Sequence, residues 1–275
     1  MFRKTSLILT CVILLLLTSC YPTYAKWKNP LLDVKNYKIY YGNVSDAKVK
    51  ELSRYDMVII EPHEITKERV AKLKANGTIV LGYLSIMELQ QWDKAFTAKV
   101  KESNYLKVNY KKVYIEDWDT YLMDITNLHY QQLLFAELKE EIIAKKFDGV
   151  LLDTVGDIDD FYGDNKKVAT KLRTGYGKLL QTITKKYPKL VFVQNWGFDT
   201  YKFTSKKYVD GILWENYDKE RLKDSKWGQK WIKYFQTAKR KEHKAVFTVT
   251  PDNSSTSYSK KQGFVPFKHK TSIYN

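Results

Sequence analysis

Two carboxylates at matching positions of a repeated segment are the residues of this 275-residue chain best placed to do chemistry. The segment Phe147-Asp148-Gly149-Val150-Leu151-Leu152-Asp153 returns as Val209-Asp210-Gly211-Ile212-Leu213-Trp214-Glu215, and each copy closes on an acid five residues after the Asp of an Asp-Gly pair. Only apolar residues lie between glycine and acid, the pattern of a short strand buried on both faces of a parallel sheet. Side chains alternate along such a strand, so Gly149, Leu151 and Asp153 share one face, as do Gly211, Leu213 and Glu215. Equal spacing brings Asp153 and Glu215 to one height, and in a parallel barrel that height is the C-terminal rim, where strand ends meet a substrate. Two facing acids are the basic equipment for cutting a glycosidic bond.

Neighbouring strands lie about 4.8 Å apart, so two strands separated by one other stand roughly 9 Å apart at their backbones. That spacing admits both glycosidase geometries: carboxyl groups about 5 Å apart retain anomeric configuration, and groups about 6.5 to 9.5 Å apart invert it. Asp153 is assigned as the anionic partner and Glu215 as the proton donor, because Trp214 and neighbouring aromatics would desolvate the glutamate and raise its pKa. Asn195, closing the strand between them, is placed to hold a carboxylate or to bind a sugar hydroxyl. Tyr83 and Ser85 share a face of the third strand, Glu88 lies just past its end, and Glu61 closes the second. These four, with Asn195 and Trp196, are the candidate substrate-binding residues. Trp92, Trp118 and Trp196 follow strand ends and could stack on sugar rings, whereas Trp227 and Trp231, one helical turn apart, read as packing. Asp148 and Asp210 sit at strand starts, the face associated with stability, and are assigned structural roles.

The elements that must position these groups alternate in type. Strands are expected at Tyr37–Tyr41, Met57–Ile60, Thr78–Ile86, Gly149–Asp153, Lys189–Asn195, Gly211–Glu215, Ala245–Val249 and Phe264–Phe267. Helical spacing marks Ser45–Leu52, Thr66–Ala75, Thr126–Lys146, Lys166–Lys186 and Trp227–His243, with a short helix near Thr204–Tyr208. A polar stretch rather than a helix is expected before the last strand. Residues Glu88–Trp118 form a Tyr- and Lys-rich excursion too long for an idle connection. An acidic loop carrying Asp157, Asp159, Asp160 and Asp164 follows the fourth strand. Eight strands alternating with helices over about 250 residues match a single-domain (β/α)8 TIM barrel, an α/β fold. A doubly wound sheet would share the rhythm, but no Gly-rich nucleotide turn follows the first strand.

Ahead of this domain, Arg3 and Lys4 precede the apolar run Leu7–Leu17, and Leu17-Thr18-Ser19-Cys20 resembles a bacterial lipobox. Residues 1–19 are thus read as a lipoprotein signal peptide, 20–34 as lipidated N-terminus and linker with the lipid on Cys20, and 35–275 as the barrel domain. Cleavage after Ala25, with ordinary secretion, is the alternative. The chain has a net charge of +16, which falls to +14 when Arg3 and Lys4 leave with the signal. Such a surface favours anionic neighbours. Its lysines are dispersed and no nucleic-acid motif accompanies them, so nucleic acid is not an expected partner. The expected partners are a polysaccharide and, through the lipid, a membrane; the protein is expected to be a monomer. Cys11 and Cys20 are the two cysteines, so no disulfide, zinc cluster or cysteine nucleophile is available to the domain. The four histidines are scattered, and His63 beside Glu64 forms no ligand motif, so neither a metal nor any other cofactor is expected.

The runs Val80–Glu88, Phe147–Thr154, Val193-Gln194-Asn195-Trp196-Gly197, Gly211–Tyr217 and Gly263–Phe267 together resemble glycoside hydrolase family 114, typified by endo-α-1,4-polygalactosaminidases. The resemblance implies a (β/α)8 barrel whose catalytic pair stands at Asp153 and Glu215, and an α-1,4-linked galactosamine polymer as substrate. Met87 occupies the place where the family usually has a glycine before the glutamate. Once deacetylated, such a polymer is cationic, and the acids after the fourth strand would oppose the basic exterior locally. A chitinase-like site is disfavoured because Leu151 and Val155 stand where its second Asp and its Glu would be. The reading from another class is a catalytically inactive, carbohydrate-binding surface lipoprotein that retains the barrel.

Overall fold

In a computed structural model, described here for residues 28–271 and 273–275, eight segments pair in parallel and in chain order. They are β1 (Tyr37–Tyr40), β2 (Met57–Ile60), β3 (Ile79–Ser85), β4 (Gly149–Asp153), β5 (Val191–Asn195), β6 (Gly211–Trp214), β7 (Ala245–Thr250) and β8 (Val265–Lys268). The sheet curls into a nearly closed barrel, as expected of a (β/α)8 domain. At the seam, Tyr37 of β1 packs its ring 5.1 Å from Phe247 and 5.7 Å from Phe267, and its hydroxyl donates to the Thr248 carbonyl at 2.9 Å. The expected signal peptide and the expected lipid attachment at Cys20 lie outside the described residues.

Alternating side chains divide the apolar residues into two cores. Tyr37, Ile39, Ile59, Leu81, Leu151, Val193, Leu213 and Phe247 fill the barrel interior. Their neighbours Val58, Val80, Leu152, Phe192, Ile212, Trp214 and Val246 face outward under the helices. The Asp-Gly repeat has a packing cause: a Cβ on Gly149 would stand 2.1 Å from the Val191 carbonyl oxygen, so only glycine admits the neighbouring strand. The aspartates before these glycines do equivalent work. Asp148 Oδ2 accepts from the Val80 amide at 3.0 Å and Asp210 Oδ2 from the Phe192 amide at 2.9 Å, each tying the start of the adjacent strand.

Register explains how the two acids reach one height. Leu152 pairs with Gln194 and Asn195 with Leu213, so the ladder leaving Asp153 arrives two residues short of Glu215. A barrel of eight strands with a shear of about eight climbs one residue per strand, and two strands supply that offset. Side chains of one interior layer come from alternate strands, which β4 and β6 are.

The main helices are α1 (Asp46–Leu52), α2 (Lys67–Ala75), α3 (Leu128–Glu137), α4 (Lys166–Lys186), α5 (Phe198–Phe203), α6 (Lys226–Glu242) and α7 (Asn253–Lys261). Ser45 and Thr66 cap α1 and α2 through their hydroxyls. Three expectations are corrected. The short helix expected near Thr204–Tyr208 is a 3-10 turn, Ser205–Lys207, and an unexpected helix precedes it from Phe198, because Trp196 and Gly197 turn left-handed (φ 50° and 61°) and start it directly after β5. The polar stretch before β8 is helix α7: Asp252 caps it by accepting from the Ser255 amide at 2.7 Å, and its inner face is made by Ser255 and Ser259. Ser259 hydrogen-bonds Thr248 at 2.7 Å, a buried polar contact that apolar periodicity does not register. The acidic loop after β4 is a short helix, Asp157–Tyr162. The excursion beyond β3 carries its own antiparallel structure, in which Glu88–Gln90 pairs with Thr120–Leu122 and Lys107–Val108 with Lys111–Lys112.

Candidate active site

Three successive barrel strands end in the same manner. Asp153, Asn195 and Glu215 are each followed by a non-glycine residue in the left-handed region: Thr154 at φ 60°, Trp196 at 50° and Asn216 at 53°. The chain turns sharply off each strand and leaves the preceding polar side chain on the rim. For a β-branched residue this conformation is strained, at about 1–3 kcal/mol. Thr154 is held in it by its own hydroxyl, which accepts from the amides of Ile86 and Met87 at 3.1 and 2.8 Å. Gln194 secures the next turn, donating to the carbonyls of Trp196 and Gly197 at 2.8 and 3.0 Å.

Asn195 joins the two acids. Its Nδ2 donates to Asp153 Oδ1 and to Glu215 Oε2, both at 2.7 Å. Both partners are acceptors, which fixes the orientation of the amide. Two such legs from one planar nitrogen place the bridged carboxylate oxygens about 5 Å apart. Asn195 Oδ1 is buried and without a partner. The second oxygen of Glu215 accepts from the Tyr274 hydroxyl. Burial, reinforced by the Asp153 charge, raises the pKa of Glu215, while the Tyr274 and Asn195 hydrogen bonds pull the other way.

The source of that burial corrects the reading from sequence. Trp214 points out of the barrel, its ring centroid 4.9 Å from Phe198 and 5.6 Å from Trp227. Tyr37 and Tyr274 take its place around Glu215, and Tyr41 joins them, edge-on to Tyr83 and Tyr274 at 5.0 and 5.4 Å. Trp227, expected as packing, stacks on Trp196 and Phe198; Trp231 is buried.

These groups open into a cleft of about 600 Å³. Of the residues singled out from sequence, Glu61, Tyr83, Glu88, Trp92, Trp118, Asp153, Asn195, Trp196 and Glu215 line it. Ser85 does not: its hydroxyl donates to the Glu88 carbonyl at 2.8 Å and meets Thr154 Oγ1, closing the turn after β3. Among the acids after β4, Asp157 and Asp160 face the cleft, whereas Asp159 turns away to pair with Arg173 at 2.6 Å and to cap α5. Burial and the adjacent Glu88 push Asp157 up to about 9, and burial raises Glu88 as well. Tyr41, Gln90, Thr120, Asn216 and Tyr274 complete the wall without having been identified from sequence. Asn216 was within reach of the repeat, as the residue after its acid; Tyr274 had no sequence signal. Among the described lining residues there is no lysine or arginine, so a basic protein carries an acidic cleft.

His63 is not the isolated histidine its neighbour Glu64 suggested. Its Nδ1 lies 2.6 Å from Glu61, and its Nε2 lies 3.0 Å from Glu137 and 3.9 Å from Asp93, both distant in sequence.

Residues 79–269 match the family described as "Hypothetical glycosyl hydrolase family 15". No curated protein matches the chain significantly. Among solved structures, the chain is similar to the glycoside hydrolase domain of PelA from Pseudomonas aeruginosa, at 18% identity and a TM-score of 0.68 over 86% of this chain and 94% of that one. It is also similar to Aspergillus fumigatus Ega3, solved in complex with galactosamine, at 16% identity and a TM-score of 0.66 over 92% and 97%. An α-amylase from Lactobacillus plantarum shares the fold at 13% identity and a TM-score of 0.54, over 81% of this chain and 63% of that one.

Proposed function

The chain belongs to hypothetical glycosyl hydrolase family 15, and on that premise we propose that it is a retaining glycoside hydrolase acting on a cationic amino-sugar polymer, of the family 114 endo-α-1,4-polygalactosaminidase type. The observation that carries this reading is the Asn195 amide holding Asp153 and Glu215 at the separation a nucleophile and an acid/base require. Asp153 attacks the anomeric carbon as a carboxylate while Glu215 gives its proton to the departing glycosidic oxygen, leaving a glycosyl ester on Asp153. Glu215, now ionised, takes a proton from the incoming water, which attacks the same carbon and releases Asp153. The raised pKa of Glu215 suits the donor role. No step calls for a cofactor.

The substrate class follows from charge. Glu61, Glu64, Glu88 and Asp160 join the catalytic pair around the cleft, an environment that attracts ammonium groups and repels uronates or phosphates. Trp92 and Trp118, about half exposed at 54% and 55%, offer apolar faces to sugar rings. Glu61, Tyr83 and Glu88 contact sugar in this reading, while Ser85 acts only through the turn. The Arg3-Lys4, Leu7–Leu17 and Leu17–Cys20 pattern supports export and anchoring through Cys20, with the barrel working as a monomer outside the cytoplasmic membrane.

The test is to incubate the purified protein with partly deacetylated galactosamine and glucosamine polymers, beside Asp153→Asn and Glu215→Gln, and to measure fragments by mass spectrometry and their anomeric form by NMR. Fragments of retained configuration from wild type, and from neither variant, would support the proposal. If one polymer bound equally to all three proteins and none was cut, the protein would be a binding lipoprotein instead.

A further inference from the structure

We propose that His63, Asp93 and Glu137 form a binding site for a borderline divalent cation, Zn2+ or Mn2+, on the outer side of the cleft wall. One atom from each, the imidazole Nε2 and an oxygen of each carboxylate, lies within 4.8 Å of the others. Ligand atoms on a tetrahedron with bonds of about 2.1 Å are about 3.4 Å apart, and the observed separations from Nε2, 3.0 Å to Glu137 Oε1 and 3.9 Å to Asp93 Oδ2, bracket that edge.

The remaining hydrogen-bonding capacity is already committed in the way a metal site requires. Glu61 Oε1 sits 2.6 Å from His63 Nδ1, so that nitrogen carries a proton and Nε2 is the atom turned to the two carboxylates; without metal its N–H donates to Glu137 at 3.0 Å, and a cation would displace that proton. A carboxylate behind a histidine is the usual means of fixing a metal-binding tautomer. Asp93 spends Oδ1 on the Phe96 amide at 2.9 Å, capping a short helix, and leaves Oδ2 toward the ring. Glu137 Oε1 is sealed from solvent, with His63 Nε2 3.0 Å away. Among the described residues no lysine or arginine forms an ion pair with Glu61, Asp93 or Glu137, so the His63 imidazole, when protonated, is the side-chain counter-charge to three carboxylates. A neutral imidazole with two carboxylates balances a 2+ ion, and its mixed N/O donors suit Zn2+ or Mn2+ better than the all-oxygen preference of Ca2+.

The ligands come from three segments: the turn after β2, the excursion after β3 and the C-terminus of α3. The cation would therefore staple the excursion to the barrel. It would also fix the cleft, because Trp92 stands edge-on to the His63 ring at 5.5 Å and lines the sugar-facing wall, as Glu61 does.

The experiment uses the whole chain, freed of metal with a chelator and dialysed against Zn2+, Mn2+ or Ca2+. Bound metal is counted by plasma mass spectrometry and affinity measured by calorimetry. His63→Gln, Asp93→Asn and Glu137→Gln keep side-chain size and, for Asp93, the capping oxygen; circular dichroism checks that each is folded. One Zn2+ or Mn2+ per chain is expected in wild type and in a control altered in the cleft, Asp157→Asn. Affinity should fall at least about tenfold in the three ligand variants and about 10–100-fold in Glu61→Gln. Bound metal should raise the wild-type melting temperature and change Trp92 emission. Absence of stoichiometric metal in folded wild-type protein, undiminished binding by all three ligand variants, or loss of binding in Asp157→Asn alone would overturn the assignment. No outcome depends on catalysis.

Discussion

The hydroxyl of Tyr274, in the tail beyond β8, donates to Oε1 of Glu215 at the end of β6. The tail backbone is tied as well, since Tyr41 donates its amide to the Tyr274 carbonyl at 2.6 Å, so the C-terminal segment crosses the barrel seam and becomes part of the wall around the proposed acid. This donor stabilises the carboxylate form of Glu215. In Tyr274→Phe the Glu215 pKa should rise further, moving the alkaline limb of the kcat/KM profile to higher pH, while a less firmly held side chain should lower kcat on the order of tenfold. A pH–rate profile of both proteins measures this; an unmoved alkaline limb would mean that Tyr274 is packing only.

Asn195→Ala removes the bridge between the acids. The preorganised spacing is lost, and each carboxylate loses its neutral donor. A drop in kcat of about 100-fold or more is expected, comparable to deleting a donor from a preorganised site. Single-turnover kinetics should place the loss in the chemical step rather than in binding.

Asp157 is held protonated near neutrality by burial and by Glu88. Its folded pKa, about 9, exceeds the unfolded value, so between the two the native state holds a proton that the unfolded chain releases. The associated stability is complete below the unfolded carboxylate pKa of about 4 and is lost as pH rises toward the folded value. Asp157→Asn, which needs no proton, should therefore gain melting temperature over wild type as pH rises from about 4 to 9. Parallel melts across that range test the sign; a gap that narrows with pH would refute it.

Asp148→Ala should separate stability from catalysis. Its carboxylate joins the start of β3 and pairs with Lys74 at 2.8 Å, at the end of the barrel away from the cleft. Loss of about 1–3 kcal/mol of unfolding free energy is expected, with kcat unchanged. Urea unfolding beside an activity assay reads both quantities.

Replacing Trp92 or Trp118 by alanine should raise KM for long oligomers by about tenfold each and leave kcat for the shortest cleavable oligomer nearly intact. Equal loss with short and long substrates would place these rings at the reacting sugar instead.

Much of the site was legible because its order is local. Asp153 and Glu215 each end an apolar run of fixed length, Asn195 ends the strand between them, and strand alternation aims such residues the same way whatever surrounds them. The Asp-Gly grammar likewise reports a local packing need, the space taken by the neighbouring strand at Gly149. Helix α7 escaped because its inner face is built of serines that bond rather than apolar groups that repeat. Ser85 was on the expected strand but was claimed by the turn beside it.

The chain's own order of residues determined the barrel, the pair of acids and the amide between them, since these follow from periodicity and from ladder spacing that any parallel barrel imposes. Tertiary structure alone decided what surrounds them. Whether Trp214 or Tyr274 shields Glu215 depends on which face of β6 each meets, and that three carboxylates converge on His63 depends on loops and a helix brought together by closure of the fold. Such contacts join residues far apart in the chain, so their energies belong to the packed barrel and leave no spacing in the sequence to read.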